Sequence, residues 1–267
     1  MVQETLTRAA SRADRSASSA SARRAVALAY GALCHALFAA AVAAMVVAML
    51  FGMSRSLGPF AAPWSVAANA LLVLQFPIAH SFLLTQAGRG VLRRLAPREF
   101  ANDLSPTSFV IVASLQVMLL FAFWSPSGIV WWRATGAPRA ILLLLYTGAW
   151  LLLAKSIIDA GASLQTGYLG WRAVLRGTRP AYPPMPRTGL FRLCRQPIYL
   201  AFALTLWTVP VWTPDQLALA LGLTAYCVLG PLLKERRFRL LFGADFEEFA
   251  RRTPYFLPWP RLRRPRP

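Results

Sequence analysis

The sequence predicts an all-α fold: a polytopic transmembrane helical bundle of about six helices with a cytoplasmic amphipathic cap at its C-terminal end. Three observations predict it. Of 267 residues, 57% are hydrophobic and only 15% charged, and the mean hydropathy is +0.47, unlike an ordinary soluble domain. The apolar residues gather in six runs, most of them near the roughly 20 residues that a helix needs to cross a hydrocarbon core of about 30 Å. The basic residues lie between those runs with a one-sided bias, as the orientation rule for membrane proteins requires.

In chain order, residues 1–24 are rich in Ser, Ala and Arg without an apolar period and read as a disordered basic arm. Residues 25–158 hold four expected helices: Ala25 to Met53, Trp64 to Thr85, Thr107 to Trp124 and Ala140 to Ile158. The first run is far longer than the roughly 7–15 residues of a signal-peptide core and reads as a membrane span. Residues 159–197, punctuated by prolines from Pro180 to Pro186, read as a cytoplasmic loop. Residues 198–233 read as a helical hairpin, Ile198 to Trp212 and Gln216 to Leu233, turning at Thr213-Pro214-Asp215. Its first arm covers only about 22 Å at 1.5 Å per residue, short for a full crossing. Residues 234–267 form the cap and a basic tail. Phe238, Leu241, Phe242, Phe246 and Phe249 recur there at three- and four-residue spacing, interrupted at Gly243, as suits a segment lying in the interface.

The net charge of +19 and pI near 11.5 would alone suggest a nucleic-acid partner. Position excludes it. Of the 29 basic residues, only Arg55, Arg133 and Arg139 fall in the segments predicted outside; the other 26 share the opposite side. Both termini are therefore expected in the cytoplasm, with the chain in a bacterial inner membrane. Trp64, Trp124, Trp131, Trp132 and Trp212 fall at the expected outer boundary, where indole rings favour the interface. Three scattered cysteines give no disulfide framework, and no metal site is expected from two histidines. The sequence has no dinucleotide-binding, P-loop, zincin or paired C-x-x-C signature.

Ionisable groups at membrane depth are costly and are functional suspects by default. His35 and His80 qualify, each as a hydrogen-bonded core histidine or, less simply, as the two halves of a haem clasp. The most informative segment starts at Arg187-Thr-Gly-Leu-Phe-Arg-Leu-Cys-Arg-Gln-Pro-Ile-Tyr199 and resumes at Lys234-Glu235. Arg195 precedes the proline that opens a helix, so its guanidinium lies near a helix N-terminus, a setting that favours an anion. Glu235 leaves the last helix on the same side. A cation and a carboxylate at adjoining helix ends, under an amphipathic cap, could bind a zwitterionic cofactor; equally, the two could pair with each other or with lipid headgroups.

Arg195-Gln196-Pro197-Ile198-Tyr199, then Lys234-Glu235, then Phe242-Gly243-Ala-Asp-Phe246-Glu-Glu-Phe249, then Thr253-Pro254-Tyr-Phe-Leu-Pro258 resemble in order and spacing the integral-membrane methyltransferases related to isoprenylcysteine carboxyl methyltransferase and phospholipid N-methyltransferase. The resemblance covers about 75 residues. The earlier part, with Gln75-Phe-Pro-Ile-Ala-His80-Ser81, Phe123-Trp124 and Val130-Trp131, is more weakly similar to the methanethiol S-methyltransferase and nitrite-reduction-associated membrane branches. The family implies S-adenosylmethionine bound at the cytoplasmic face and an isoprenyl-cysteine, lipid or small thiol acceptor entering from the bilayer. Arg195, Gln196, Pro197, Tyr199 and Glu235 carry over as cofactor-site residues. Arg195 would hold the cofactor's carboxylate and Glu235 its amino group or ribose hydroxyls, and His80 is a candidate base for a thiol or amine. Gln196 stands where the family usually has histidine and keeps hydrogen-bonding ability but cannot titrate near neutral pH. Lys234 stands where it usually has the first of two glutamates, reversing a charge. Beside this reading stand a catalytically inactive membrane subunit of the same fold that holds a protein partner, lipid or haem, and an NADPH enzyme resembling the sterol reductases.

Overall fold

The computed structural model describes residues 2–257, with side chains described from residue 20 onward. The end of the expected tail, including Pro258, lies outside the described residues. In chain order the helices are α1 (Val2–Leu50), α2 (Trp64–Leu83), α3 (Gln86–Arg94) and α4 (Ala101–Ala122), followed by the short strand β1 (Trp132–Arg133). Then come α5 (Gly136–Asp159), α6 (Ala162–Gln165), α7 (Tyr168–Arg176) and a 3-10 turn at Gly189–Arg192. The chain closes with α8 (Pro197–Trp207), strand β2 (Val211–Trp212), α9 (Pro214–Phe242) and α10 (Ala244–Arg252).

Among the described residues, five helices are long and apolar enough to cross a membrane: Ala20–Leu50 within α1, α2, α4, α5 and α9. They leave large apolar side chains exposed, among them Leu71 and Ile78 on α2, Leu144 and Leu151 on α5, and Leu221 and Leu229 on α9. Such surfaces need lipid, and the chain is an integral membrane protein.

The first four apolar runs lie within or close to the helices expected, with α4 starting earlier, at Ala101, despite Pro106 in its second turn. Four boundaries differ. The segment expected as a disordered arm is helical from Val2 and continuous with the apolar run; Ala, Arg and Glu are strong helix formers, and nothing in the segment breaks a helix. The expected loop 159–197 contains α6, α7 and the 3-10 turn. The fifth run ends as helix at Trp207, because Val211 and Trp212 pair with β1 in antiparallel register, Trp132 opposite Trp212 and Arg133 opposite Val211. At 11 residues, α8 rises only about 16 Å, so it forms a short partial hairpin with α9. The sixth helix does not stop at Leu233; it runs through Lys234 to Phe242 and breaks at Gly243, whose φ is +50°. That backbone conformation costs glycine little and ends α9 where α10 begins.

Two compact units divide the chain. One comprises residues 1–39, 82–113 and 163–182. Its core sets Ala27 of α1, Leu104 of α4 and Val174 of α7 together, with Tyr30, Phe100 and Trp171 packed against them. Thr107 Oγ1 donates to Gly167 O at 2.7 Å and accepts from Trp171 N at 2.9 Å, joining α4 to α7. The other unit comprises residues 40–81, 114–162 and 183–267. Met45, Met49, Leu120, Phe121, Tyr146, Leu206, Leu219 and Leu223 form its core. Asp215 in the first turn of α9 accepts from Trp124 Nε1 at 2.9 Å and from the Ser127 backbone N and Oγ at 2.9 and 2.6 Å. This carboxylate pins the start of α9 to the segment following α4.

Candidate functional site: a buried arginine–glutamate latch

Pro197 occupies the first position of α8, where its missing N–H costs nothing, and Gln196 is the N-cap. Arg195 therefore stands just outside that helix end, and its backbone N donates to Pro254 O at 2.9 Å. Its guanidinium faces Glu235 of α9: Nε donates to Oε1 at 2.7 Å and Nη2 to Oε2 at 3.2 Å. This is the two-bond fork geometry that makes arginine–carboxylate pairs strong. The remaining nitrogen, Nη1, donates to Ala250 O at 2.8 Å and Thr253 O at 2.7 Å. Those carbonyls belong to the end of α10, where the last turn of a helix leaves acceptors unsatisfied and favours a cation. One side chain thus closes α8, α9 and α10 together.

Gln196 reinforces the clasp, donating from Nε2 to Glu235 Oε1 at 2.8 Å. It is 1% exposed, and its Oε1 is a buried acceptor with no hydrogen-bond partner among the described residues. Arg239 adds a longer contact to Glu235 Oε2 at 3.9 Å and a closer one to Glu247 at 2.8 Å across the Gly243 break. Tyr255 Oη donates to Val228 O at 2.6 Å, holding the chain after α10 against α9. Burial, then the nearby Glu235 carboxylate, push the Tyr255 hydroxyl up to about 12. Burial likewise raises the Cys194 thiol above its ordinary range, so it is a poor nucleophile.

The 187–192 segment is tied down from two sides. Leu190 N donates to Asp159 Oδ2 at 2.9 Å, and Lys155 pairs with the same residue's Oδ1. Arg187 reaches α10, with Nη2 3.3 Å from Asp245 Oδ2. The sequence assigned no role to Asp159, Arg187, Asp245 or Arg239, and marked Thr253 only as part of a motif. The Lys155/Asp159 spacing of four was a visible helical pair; nothing local pointed to a partner for the others.

Tyr199, one turn into α8, belongs to a row of aromatic rings. It meets Tyr226 at a centroid distance of 6.2 Å, Tyr226 meets Phe76 at 5.8 Å, and Phe76 meets His80 at 5.2 Å. His80 thus lies at the far end of a row that starts beside the latch. Lys234 places Nζ 5.5 Å from the centroid of Tyr199 and 5.6 Å from that of Phe238. His35 is a satisfied histidine: its Nε2 accepts from Trp171 Nε1 at 3.1 Å, which engages the one ring lone pair that a neutral imidazole offers an iron. Among the described residues no three His, Cys, Asp or Glu side chains group as metal ligands.

Arg195, Gln196, Pro197, Tyr199 and Glu235, all named from sequence, are therefore brought to one place, with Lys234 beside them and His80 three ring contacts away. The arrangement can hold three helix ends rigid next to a cation and an aromatic wall. Together the fold and this site define a polytopic helical membrane protein whose last helices are clasped at one end by buried charge and covered by an amphipathic helix.

Comparison with known proteins shows what this class of chain is similar to. The chain is 29% identical over 199 residues to methanethiol S-methyltransferase 1 of Bradyrhizobium diazoefficiens, covering 74% of this chain and 68% of the relative. It is 25% identical over 206 residues to methanethiol S-methyltransferase of Mycobacterium tuberculosis, covering 73% and 79%. Nurim of Sus scrofa is 28% identical over 179 residues, covering 64% and 66%. No protein-family model matches the chain, and no solved structure matches it significantly. At these identities the chain is similar to the integral-membrane methyltransferases related to isoprenylcysteine carboxyl methyltransferase.

Proposed function

We propose that the protein transfers a methyl group from S-adenosylmethionine to the sulfur of a small thiol, at the end of the bundle where α8, α9 and α10 meet. The observation that carries this reading is the likeness to proteins named methanethiol S-methyltransferase, which extends over about three-quarters of the chain. The residues at the latch fit the cofactor. Gln196 Oε1 is a buried acceptor awaiting a donor, and one guanidinium N–H of Arg195 remains beyond the four it directs at Glu235, Ala250 and Thr253. The Tyr199 ring offers a face for a cation or a flat heterocycle.

When bound, S-adenosylmethionine supplies an electrophilic methyl group on a sulfonium. The protein's part is positioning, because a substitution at carbon depends on an in-line approach more than on covalent help. Arg195 and Glu235 act as positioning residues that hold the helix ends. Gln196, Pro197 and Tyr199 line the cofactor's place, and the aromatic row from Tyr199 to His80 walls the approach of an apolar acceptor. The acceptor's S–H proton leaves to water, so thiol and methyl donor yield a thioether, the demethylated donor and one proton.

The basic bias of the connecting segments supports both termini in the cytoplasm, with the latch on that side. Isothermal titration of the purified protein with S-adenosylmethionine, together with headspace detection of dimethyl sulfide from methanethiol, tests the reaction. Binding and dimethyl sulfide are the expected results; absence of both overturns it.

A further inference from the structure

We infer that Lys234 is the acceptor-binding residue of this site: its ammonium holds the thiol acceptor in its ionised form, beside the aromatic faces of Tyr199 and Phe238. The inference rests on the small-thiol reading above and adds the group that selects and activates the thiol.

Four observations place a small, soft anion there. First, Lys234 is half-buried with Nζ over two aromatic rings, at 5.5 Å and 5.6 Å from their centroids. Rings stabilise a cation through their faces but do not neutralise it. Second, the adjacent carboxylate is already committed. Glu235 gives its two oxygens to Arg195 and Gln196, and among the described residues Lys234 makes no salt bridge of its own. Third, the charged and titratable groups around it are Glu235 and Arg237 on α9, with Cys194, Arg195 and Tyr199 at the start of α8. With Glu235 paired to Arg195, Lys234 is left without a carboxylate of its own among the described residues. Fourth, beyond those groups the walls are aromatic and apolar: Tyr199 continues into Tyr226, Phe76 and His80, and the neighbouring Leu232 and Leu233 are exposed on the bilayer-type surface of α9. An ammonium with apolar walls favours a ligand with one negative atom and a small hydrocarbon body, which describes an alkanethiolate.

The chemical need is specific. An alkanethiol is mostly protonated near neutral pH, whereas the thiolate is the nucleophile. An opposite charge within about 4–6 Å lowers an acid's pKa by roughly 1–3 units. On binding, the S–H bond ionises, the proton passes to water, and the sulfur keeps the electron pair opposite Nζ.

Lys234→Met, with Lys234→Arg as the charge-preserving partner, tests this in the full-length protein in lipid nanodiscs. Each is assayed with methanethiol and with thiophenol, an arenethiol already mostly ionised at about pH 8. Lys234→Met is expected to lose about 100-fold in kcat with methanethiol near neutral pH and only a few-fold with thiophenol. The acidic limb of its methanethiol kcat profile should move up by about 1–3 pH units. Lys234→Arg should keep most of the methanethiol rate, and S-adenosylmethionine affinity by isothermal titration should be unchanged in both. Equal losses on the two thiols with an unmoved pH limb would make Lys234 merely structural and overturn the inference. Weakened cofactor binding with an unmoved limb would overturn it too, placing Lys234 on the cofactor. If the wild-type protein methylates neither thiol, the small-thiol reading falls before any variant is measured, and the inference falls with it.

Discussion

Arg195 and Glu235, forty positions apart in the chain, meet through two parallel hydrogen bonds of 2.7 and 3.2 Å, with 11% and 4% of their side chains exposed. Because the same guanidinium also caps α10, the pair couples the start of α8 and the C-terminal part of α9 to the covering helix. Removing one partner of such a buried pair strands the other charge, at a cost of about 3–5 kcal/mol. Replacing both by apolar groups avoids that penalty.

Arg195→Met and Glu235→Leu should therefore each lower thermal stability strongly, and the double variant should lose clearly less than the sum of the two. Hydrogen exchange should show α10 opening first in the single variants. Additive losses would mean that the two side chains are not coupled. On the proposed function, Glu235→Gln should also weaken S-adenosylmethionine binding in isothermal titration by loosening the helix ends that the pair holds, and unchanged affinity would show that the latch does not position the cofactor's place.

Gly189 has a φ of +57°, and a Cβ added there would meet Asp159 Oδ2 at 2.2 Å. Gly189→Ala should destabilise the 187–192 segment by about 1–3 kcal/mol through backbone strain and the clash combined. Adding Asp159→Ala clears the space but leaves the backbone cost and removes the acceptor of Leu190 N, so the pair should recover only part of the loss. Full recovery in a denaturation series would show that φ at residue 189 is unimportant.

Asp215 accepts three hydrogen bonds while only 7% exposed. Its loss leaves Trp124 Nε1 and Ser127 N without their acceptor, so Asp215→Ala should cost about 2–4 kcal/mol. Trp124→Phe removes one donor and should cost less. The order of the two melting temperatures checks the assignment, and the reverse order would contradict it.

Tyr255 provides a pH test. Its hydroxyl is held protonated to about 12 in the folded chain, against about 10 in an unfolded one. A folded value raised above the unfolded one means that the contribution is complete below about pH 10 and is lost as pH rises toward 12. Wild-type melting temperature should fall more steeply than that of Tyr255→Phe across that window. Parallel slopes would show that burial and the Glu235 carboxylate do not hold the hydroxyl protonated in the folded chain.

Much of the fold was legible in the chain because apolar length and charge placement act locally. A run of some twenty apolar residues can satisfy its backbone in lipid only as a helix, whatever lies beside it. The boundaries that differed are those set by partners. The helix of the fifth run ends at Trp207 because residues 211–212 find a strand at 132–133, nearly eighty residues away. α9 passes Leu233 because the charged residues 234–239 continue a helix as readily as they form an interface segment. The amphipathic α7 escaped notice because the prolines that follow it made its whole stretch read as loop.

At the site, the sequence named Arg195, Gln196, Pro197, Tyr199 and Glu235 through a family resemblance in order and spacing, and the structure brings them together. What they do with one another was decided only by tertiary structure. An arginine before a helix reads the same whether its donors face a ligand or the protein, since a guanidinium's partners are chosen by packing across forty or more residues. Here four of its N–H groups go to Glu235, Ala250 and Thr253. With Glu235 spent in that pair, Lys234, a charge reversal in sequence, becomes in three dimensions a cation set against two aromatic rings.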